Sequence, residues 1–237
     1  MRRSVSACSL LLGLLLFVSL PVLGQTGGEN PGVTADELSA LLEKARAKYD
    51  VPALAVGVIR SCDKSHVAVV GVRKRGTDPL ATADDQWHIG SNTKPITALL
   101  VALLIDQGML DWDTPLEEIF PEHVDKWSAD LKKITPAHLL THTSGLPTIG
   151  PLLGFLIGRS EGTAVKDREK VVRSLEAVKL TTKPGEKYQY SNLGYVLLGA
   201  IIDRRGKASW EEQLEKKVFR PLEIKRWGLV PWIRRKP

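Results

Sequence analysis

Two short stretches hold side chains whose types and spacing could activate a hydroxyl as a nucleophile. In Trp87-His-Ile-Gly-Ser-Asn-Thr-Lys-Pro95 a hydroxyl at Ser91 stands three residues before an amine at Lys94, where an apolar segment, Ile96 to Gln107, begins. If that segment is a helix, both groups lie on one face of its first turn. A hydroxyl is a weak nucleophile near neutral pH and needs an adjacent base. Lys94 can serve only when neutral, and both desolvation and a positive helix N-terminus disfavour its ammonium form. The same backbone amides can stabilise an oxyanion. About one chance Ser-x-x-Lys match is expected in a chain of this length, so the pattern alone favours a capped surface helix.

In the second stretch, Tyr188-Gln-Tyr-Ser-Asn192, Tyr190 and Asn192 project the same way from an extended segment just before a helix. Tyr190 would relay a proton and Asn192 orient a substrate amide. The competing reading makes both tyrosines packing residues and Asn192 the cap of the next helix; the segment alone does not choose. His142, in His142-Thr-Ser-Gly-Leu-Pro147, reads as structural, because Lys94 already supplies a base and no partner for the imidazole can be named.

The elements that must position these groups are legible in outline. Thr34 caps a helix through Tyr49 with apolar Leu38, Leu41, Leu42 and Ala45. Val51 to Arg60 and His66 to Arg73 are β-branched runs that read as an antiparallel hairpin. Ile96 to Ile105, apolar except at Thr97, reads as a core helix stopped by Gly108. Thr135-Pro136 opens a brief helix. Pro151 to Gly158 has no clear period, Asp167 to Val178 is amphipathic, and Leu193 to Arg205 is a helix ended by Gly206. Ser209-Trp-Glu-Glu212 is a capping box for a last helix through Val218. The pattern predicts an α/β (α+β) arrangement of helices on an antiparallel sheet.

Arg2 and Arg3 before the apolar run Leu10 to Leu20 read as an export signal over residues 1–24, cleaved near Gly24, with a secreted or periplasmic destination. Residues 25–33 form a loose leader, residues 25–237 the domain, and 225–237 an unpatterned tail. Cleavage removes Cys8, leaving Cys62 without an intramolecular disulfide partner. The formal charge of +6 falls to +4. Basic residues crowd the C-terminal part; a solvated surface accounts for them, with anionic wall polymer or lipid headgroups as the alternative, and no motif points to nucleic acid. No metal-ligand cluster is present, and acyl transfer through serine needs no cofactor. The membrane enters only through the export signal.

Taken in order, Gly90-Ser-Asn-Thr-Lys94, Leu110-Asp-Trp-Asp-Thr-Pro115, Leu139-Leu-Thr-His-Thr-Ser-Gly-Leu-Pro147 and Pro184-Gly-Glu-Lys-Tyr-Gln-Tyr-Ser-Asn-Leu-Gly194 resemble the serine β-lactamase-related family of class C-type β-lactamases, D-alanyl-D-alanine carboxypeptidases and esterases. The resemblance implies that Ser91 is the acylated nucleophile, Lys94 its proton acceptor, and Tyr190 and Asn192 the second motif of the site. It implies a helical domain packed on an antiparallel sheet completed by late strands, which this chain lacks. It also implies a third motif, Lys or His, a small residue, then Gly, and none follows Asn192; Arg226-Trp-Gly228 has the wrong first residue. Loss of one oxyanion donor costs about 10²–10³ in rate, so the expectation is a weak or inactive serine hydrolase of amides or esters, β-lactam and D-alanyl peptide included. The alternative is a non-catalytic module that binds peptidoglycan or penicillin through the same cleft.

Overall fold

The computed structural model describes residues 34–59, 65–148 and 163–229. The expected export signal, the leader, both cysteines, Pro151 to Gly158 and the last eight residues of the tail lie outside them. The chain divides into two compact units, residues 1–85 and 86–237.

In the first unit, α1 (Ala35–Lys48) begins at a full capping box, in which the Thr34 hydroxyl accepts from the Glu37 amide and the Glu37 carboxylate accepts from the Thr34 amide. It covers one face of an antiparallel hairpin, β1 (Ala53–Ile59) and β2 (Ser65–Gly71), paired in the register Ala55 to Val69 and Gly57 to Val67. Leu38, Leu42 and Ala68 are buried between them, with Leu54, Val56, Val58 and Val70 packed around. Leu41, expected on the inner face, is exposed, because the stripe facing the hairpin is narrow and a residue one position from Leu42 points away from it. Among the described residues the sheet has these two strands, plus one isolated bridge from Val72 to Leu80.

The second unit is helical. Following a 3₁₀ turn at Gly90–Asn92, α2 (Thr93–Asp106) runs to Gly108, whose φ of +67° suits the glycine stop. Short helices α3 (Leu116–Ile119), α4 (Ala129–Lys132) and α5 (Pro136–Leu140) follow. Next come α6 (Ala164–Ser174), α7 (Asn192–Arg205) and α8 (Trp210–Leu214), the last continued by a π-helical turn, Glu215–Phe219. The most enclosed helix is α7 rather than α2. Leu193, Gly194, Leu197, Leu198, Ile201 and Ile202 are all buried, whereas α2 buries Thr97, Leu100, Val101 and Leu104 and leaves Leu99 exposed. A helix apolar on every side is a core helix, and α7 contacts α2, α5 and α6. α6 starts earlier than its amphipathic pattern, since the Thr163 hydroxyl accepts from the Lys166 amide, and it gives way to a 3₁₀ turn at Leu175–Ala177. At α8 the Ser209 hydroxyl accepts the Glu212 amide, while the Glu212 carboxylate pairs with Lys216 and so does not close the expected box.

Two buried polar contacts fasten these helices. Trp210 Nε1 donates to the Thr97 hydroxyl at 3.2 Å, joining α8 to α2. The Arg168 side chain, 12% exposed, donates to both carboxylate oxygens of Asp203 and to both of Glu211, joining α6 to α7 and α8. Burial works against that cation, and the hydrogen bonds it donates to Glu211 and Asp203 outweigh it and hold the guanidinium well above its ordinary value. Arg168→Met is expected to cost about 3 kcal/mol, because two partly buried carboxylates lose their counter-ion. Thermal unfolding monitored by circular dichroism checks this. No helix of the described residues is long and apolar enough to cross a membrane.

Candidate active site

Gly90 enters the 3₁₀ turn with φ +53°, a conformation glycine adopts freely, and the Thr93 hydroxyl donates to its carbonyl at 2.8 Å. This turn sets Ser91 at the mouth of α2, exposed, with Lys94 half-buried behind it. Pro95 falls in the first turn, where its missing N–H is no loss. Lys94 Nζ donates to Ser91 Oγ at 3.2 Å and to Asn192 Oδ1 at 2.9 Å. Ser91 Oγ is also 2.8 Å from Tyr190 Oη. Lys94 and Tyr190 therefore meet on the Ser91 oxygen and Asn192 joins through Lys94, although 98 or 99 positions separate the two stretches.

The segment carrying Tyr190 is held along its backbone by the loop after α5. The Gln189 amide donates to the His142 carbonyl at 2.7 Å, the Ser191 amide to His142 Nδ1 at 3.2 Å, and the Asn192 amide to the Thr148 carbonyl at 3.1 Å. The Ser191 hydroxyl donates to the Pro147 carbonyl and accepts from the Gly194 amide. Ser191, not Asn192, is thus the cap of α7. The capping part expected of Asn192 in one reading falls to the neighbouring hydroxyl, and the Asn192 carboxamide meets Lys94. Tyr188 is exposed and Tyr190 is not simply packing, since its hydroxyl reaches Ser91.

Lys94 Nζ also lies 4.8 Å from the Tyr190 ring centre and 5.3 Å from that of Tyr195. Hydrogen bonding from Lys94, then from Ser91, holds the Tyr190 phenol below its ordinary value. Burial, followed by the charge of Tyr190, pushes the Tyr195 phenol up; its hydroxyl donates instead to the Leu140 carbonyl. For His142, burial and then the charge of Lys94 lower the imidazole. The sequence assigned this residue a structural part for want of a partner; the partner is a backbone amide 49 positions away, which no local pattern announces.

Gly145 gives the loop its shape. Its φ is +74°, its carbonyl accepts the Thr181 amide at 2.8 Å, and a Cβ there would collide with the Thr182 carbonyl. Gly145→Ala is expected to destabilise the protein by about 2 kcal/mol or more and to loosen the support beneath Tyr190. Urea unfolding of the variant measures it. Residues 225–229, including Arg226-Trp227-Gly228, form no strand; the Trp227 ring packs 5.0 Å from that of Phe219. Among the described residues no cluster of three or more histidine, cysteine, aspartate or glutamate side chains suits a metal ion.

The helical unit thus presents a serine flanked by a lysine and a tyrosine. The family model Beta-lactamase matches residues 38–237, and the chain belongs to that family. It is 29% identical over 186 residues to penicillin-binding protein 4 of Amycolatopsis lactamdurans, covering 78% of this chain and 47% of that one. In structure it is similar to the octameric penicillin-binding protein homologue of Pyrococcus abyssi, with TM-score 0.66 and 30% identity, covering 81% of this chain and 43% of the other. The D-amino acid amidase of Ochrobactrum anthropi is similar at TM-score 0.66 and 25% identity, covering 81% and 50%. The chain thus spans half or less of the length of these relatives. The mixed fold with a small antiparallel sheet is that of the β-lactamases and penicillin-binding proteins, as expected.

Proposed function

We propose that the protein is a serine hydrolase that cleaves amide or ester bonds through an acyl-enzyme on Ser91. The observation that carries this reading is one oxygen, Ser91 Oγ, within hydrogen-bond reach of both Lys94 Nζ and Tyr190 Oη. The amine and the phenol share protons as a unit. Ammonium with phenolate and free amine with phenol carry the same net charge, so either form can take the Ser91 proton. The serine oxygen then bonds to the substrate carbonyl carbon. As the tetrahedral intermediate collapses, the carbon–nitrogen or carbon–oxygen bond breaks and the pair returns the proton to the leaving group. Water, giving up a proton to the same pair, releases the acid and restores Ser91. Asn192, fixed at the first turn of α7, holds Lys94 and offers its amide nitrogen to a substrate carbonyl.

The likeness to a D-amino acid amidase and to penicillin-binding proteins supports small acyl compounds as substrates, with β-lactam, D-alanyl peptide and simple ester as the classes to compare. The export signal read from the first residues supports action outside the cytoplasm, where peptidoglycan fragments would be met. The test is labelling with a fluorophosphonate and with penicillin, followed by peptide mapping. Label on Ser91 supports the reading. Folded protein that stays unlabelled, yet is retained on peptidoglycan, would replace it with a binding module.

A further inference from the structure

We infer that His142, in its neutral form with Nδ1 as acceptor, is a positioning residue that aims Tyr190 at Ser91. The inference rests on the acyl-transfer reading of Ser91 and adds to it the group that holds the base in place.

His142 occupies a backbone position that ordinarily goes to glycine or asparagine. It follows the last turn of α5, where the Thr143 amide returns to the His138 carbonyl at 2.9 Å and the His142 amide to the Leu139 carbonyl at 3.4 Å. In this helix ending the residue must be left-handed, and His142 has φ +59°. A histidine is tolerated there, but a glycine would sit with less strain, so the ring must be accounted for. Its Nδ1 accepts the Ser191 amide at 3.2 Å while its carbonyl accepts the Gln189 amide at 2.7 Å. One residue therefore grips the chain on both sides of Tyr190. The ring itself packs against Tyr190 with centres 4.5 Å apart and an interplanar angle of 37°. Tyr195 and Tyr188 flank it at 5.2 Å and 5.9 Å.

Because a backbone amide can only donate, the imidazole must keep Nδ1 bare and carry its proton on Nε2. Protonation would turn the acceptor into a second donor facing an amide. The titratable groups facing the ring are Lys94 from α2, Tyr188 and Tyr190 from the extended segment, and Tyr195 from α7. Burial and the Lys94 charge both favour the neutral form, which places its protonation below the ordinary value of 6.5. The clamp is intact above that value and is lost as pH falls through the lowered one.

The experiment follows the second-order rate of fluorophosphonate labelling of Ser91 from pH 4 to 9, set as about the span around a histidine pKa, in wild type, His142→Ala and His142→Asn. Asparagine tolerates the left-handed backbone and presents Oδ1 where histidine has Nδ1, but does not titrate. His142→Ala is expected to label about 10²-fold more slowly. His142→Asn should recover most of that rate and lose part of the wild-type acid limb. Equal labelling of wild type and His142→Ala overturns the inference, and so does an acid limb in His142→Asn identical to that of wild type. If His142→Ala does not fold, the His142→Asn profile decides alone. Wild type unlabelled at every pH overturns the acyl-transfer reading itself and this inference with it. A labelled Ser91 indifferent to residue 142 overturns only the latter.

Discussion

Ser91→Ala is expected to abolish covalent capture by fluorophosphonates and penicillins and to lower hydrolysis of any acyl substrate by about 10⁴–10⁶-fold, leaving only what binding and dipoles contribute. The size follows from the geometry. Ser91 is exposed and its Oγ is the point on which Lys94 and Tyr190 meet, so removing it leaves the base pair with nothing to activate. A water admitted into the space would be oriented by the same two groups, but without the helix turn that fixes the serine. Folding should be unaffected, because the Ser91 hydroxyl is on the surface and the 3₁₀ turn is held instead by the Thr93 hydroxyl on the Gly90 carbonyl. Intact mass after labelling, with a melting curve on the same sample, reads both outcomes. A variant that still gained the label would place the nucleophile elsewhere.

The next largest effect is expected at the base. Lys94→Met and Tyr190→Phe should each lower the acylation rate by about 10²–10⁴-fold, and the double variant by little more than the worse single one, because the two groups act as one proton acceptor. The pH dependence separates them. Lys94 and Ser91 hold the Tyr190 phenol below its ordinary value of 10.0. A lowered acid ionises at lower pH, so the wild-type rate should rise with pH through a window beneath that value and then level off. Tyr190→Phe should abolish the rise, and Lys94→Met, which removes the main cause of the shift, should move it to higher pH. A rate–pH profile unchanged in Tyr190→Phe would exclude the phenol from proton transfer.

Asn192 shows how one hydroxyl decides a role. One reading of the sequence makes Asn192 the cap of the helix that follows it. In the folded chain the Ser191 hydroxyl both caps α7 and donates to the Pro147 carbonyl, a second contact Asn192 could not also make while reaching Lys94. His142 is the converse case. It stood in a recognisable loop, yet its partner is the Ser191 amide, and backbone amides carry no sequence signature.

Spacing and periodicity were enough to place Ser91 and Lys94 on one helical turn, because an i, i+3 relation is set by helix geometry regardless of surroundings. They were also enough for the antiparallel hairpin, the caps at Thr34 and Thr135, and the glycine stop at Gly108. How far each apolar helix is enclosed was not decided by apolarity: packing buries eight residues of α7 and four of α2. Nor could order along the chain bring Tyr190 to Ser91. That approach depends on the backbone bonds from the 142–148 loop to residues 189–192, and such contacts are made by main-chain groups common to every residue.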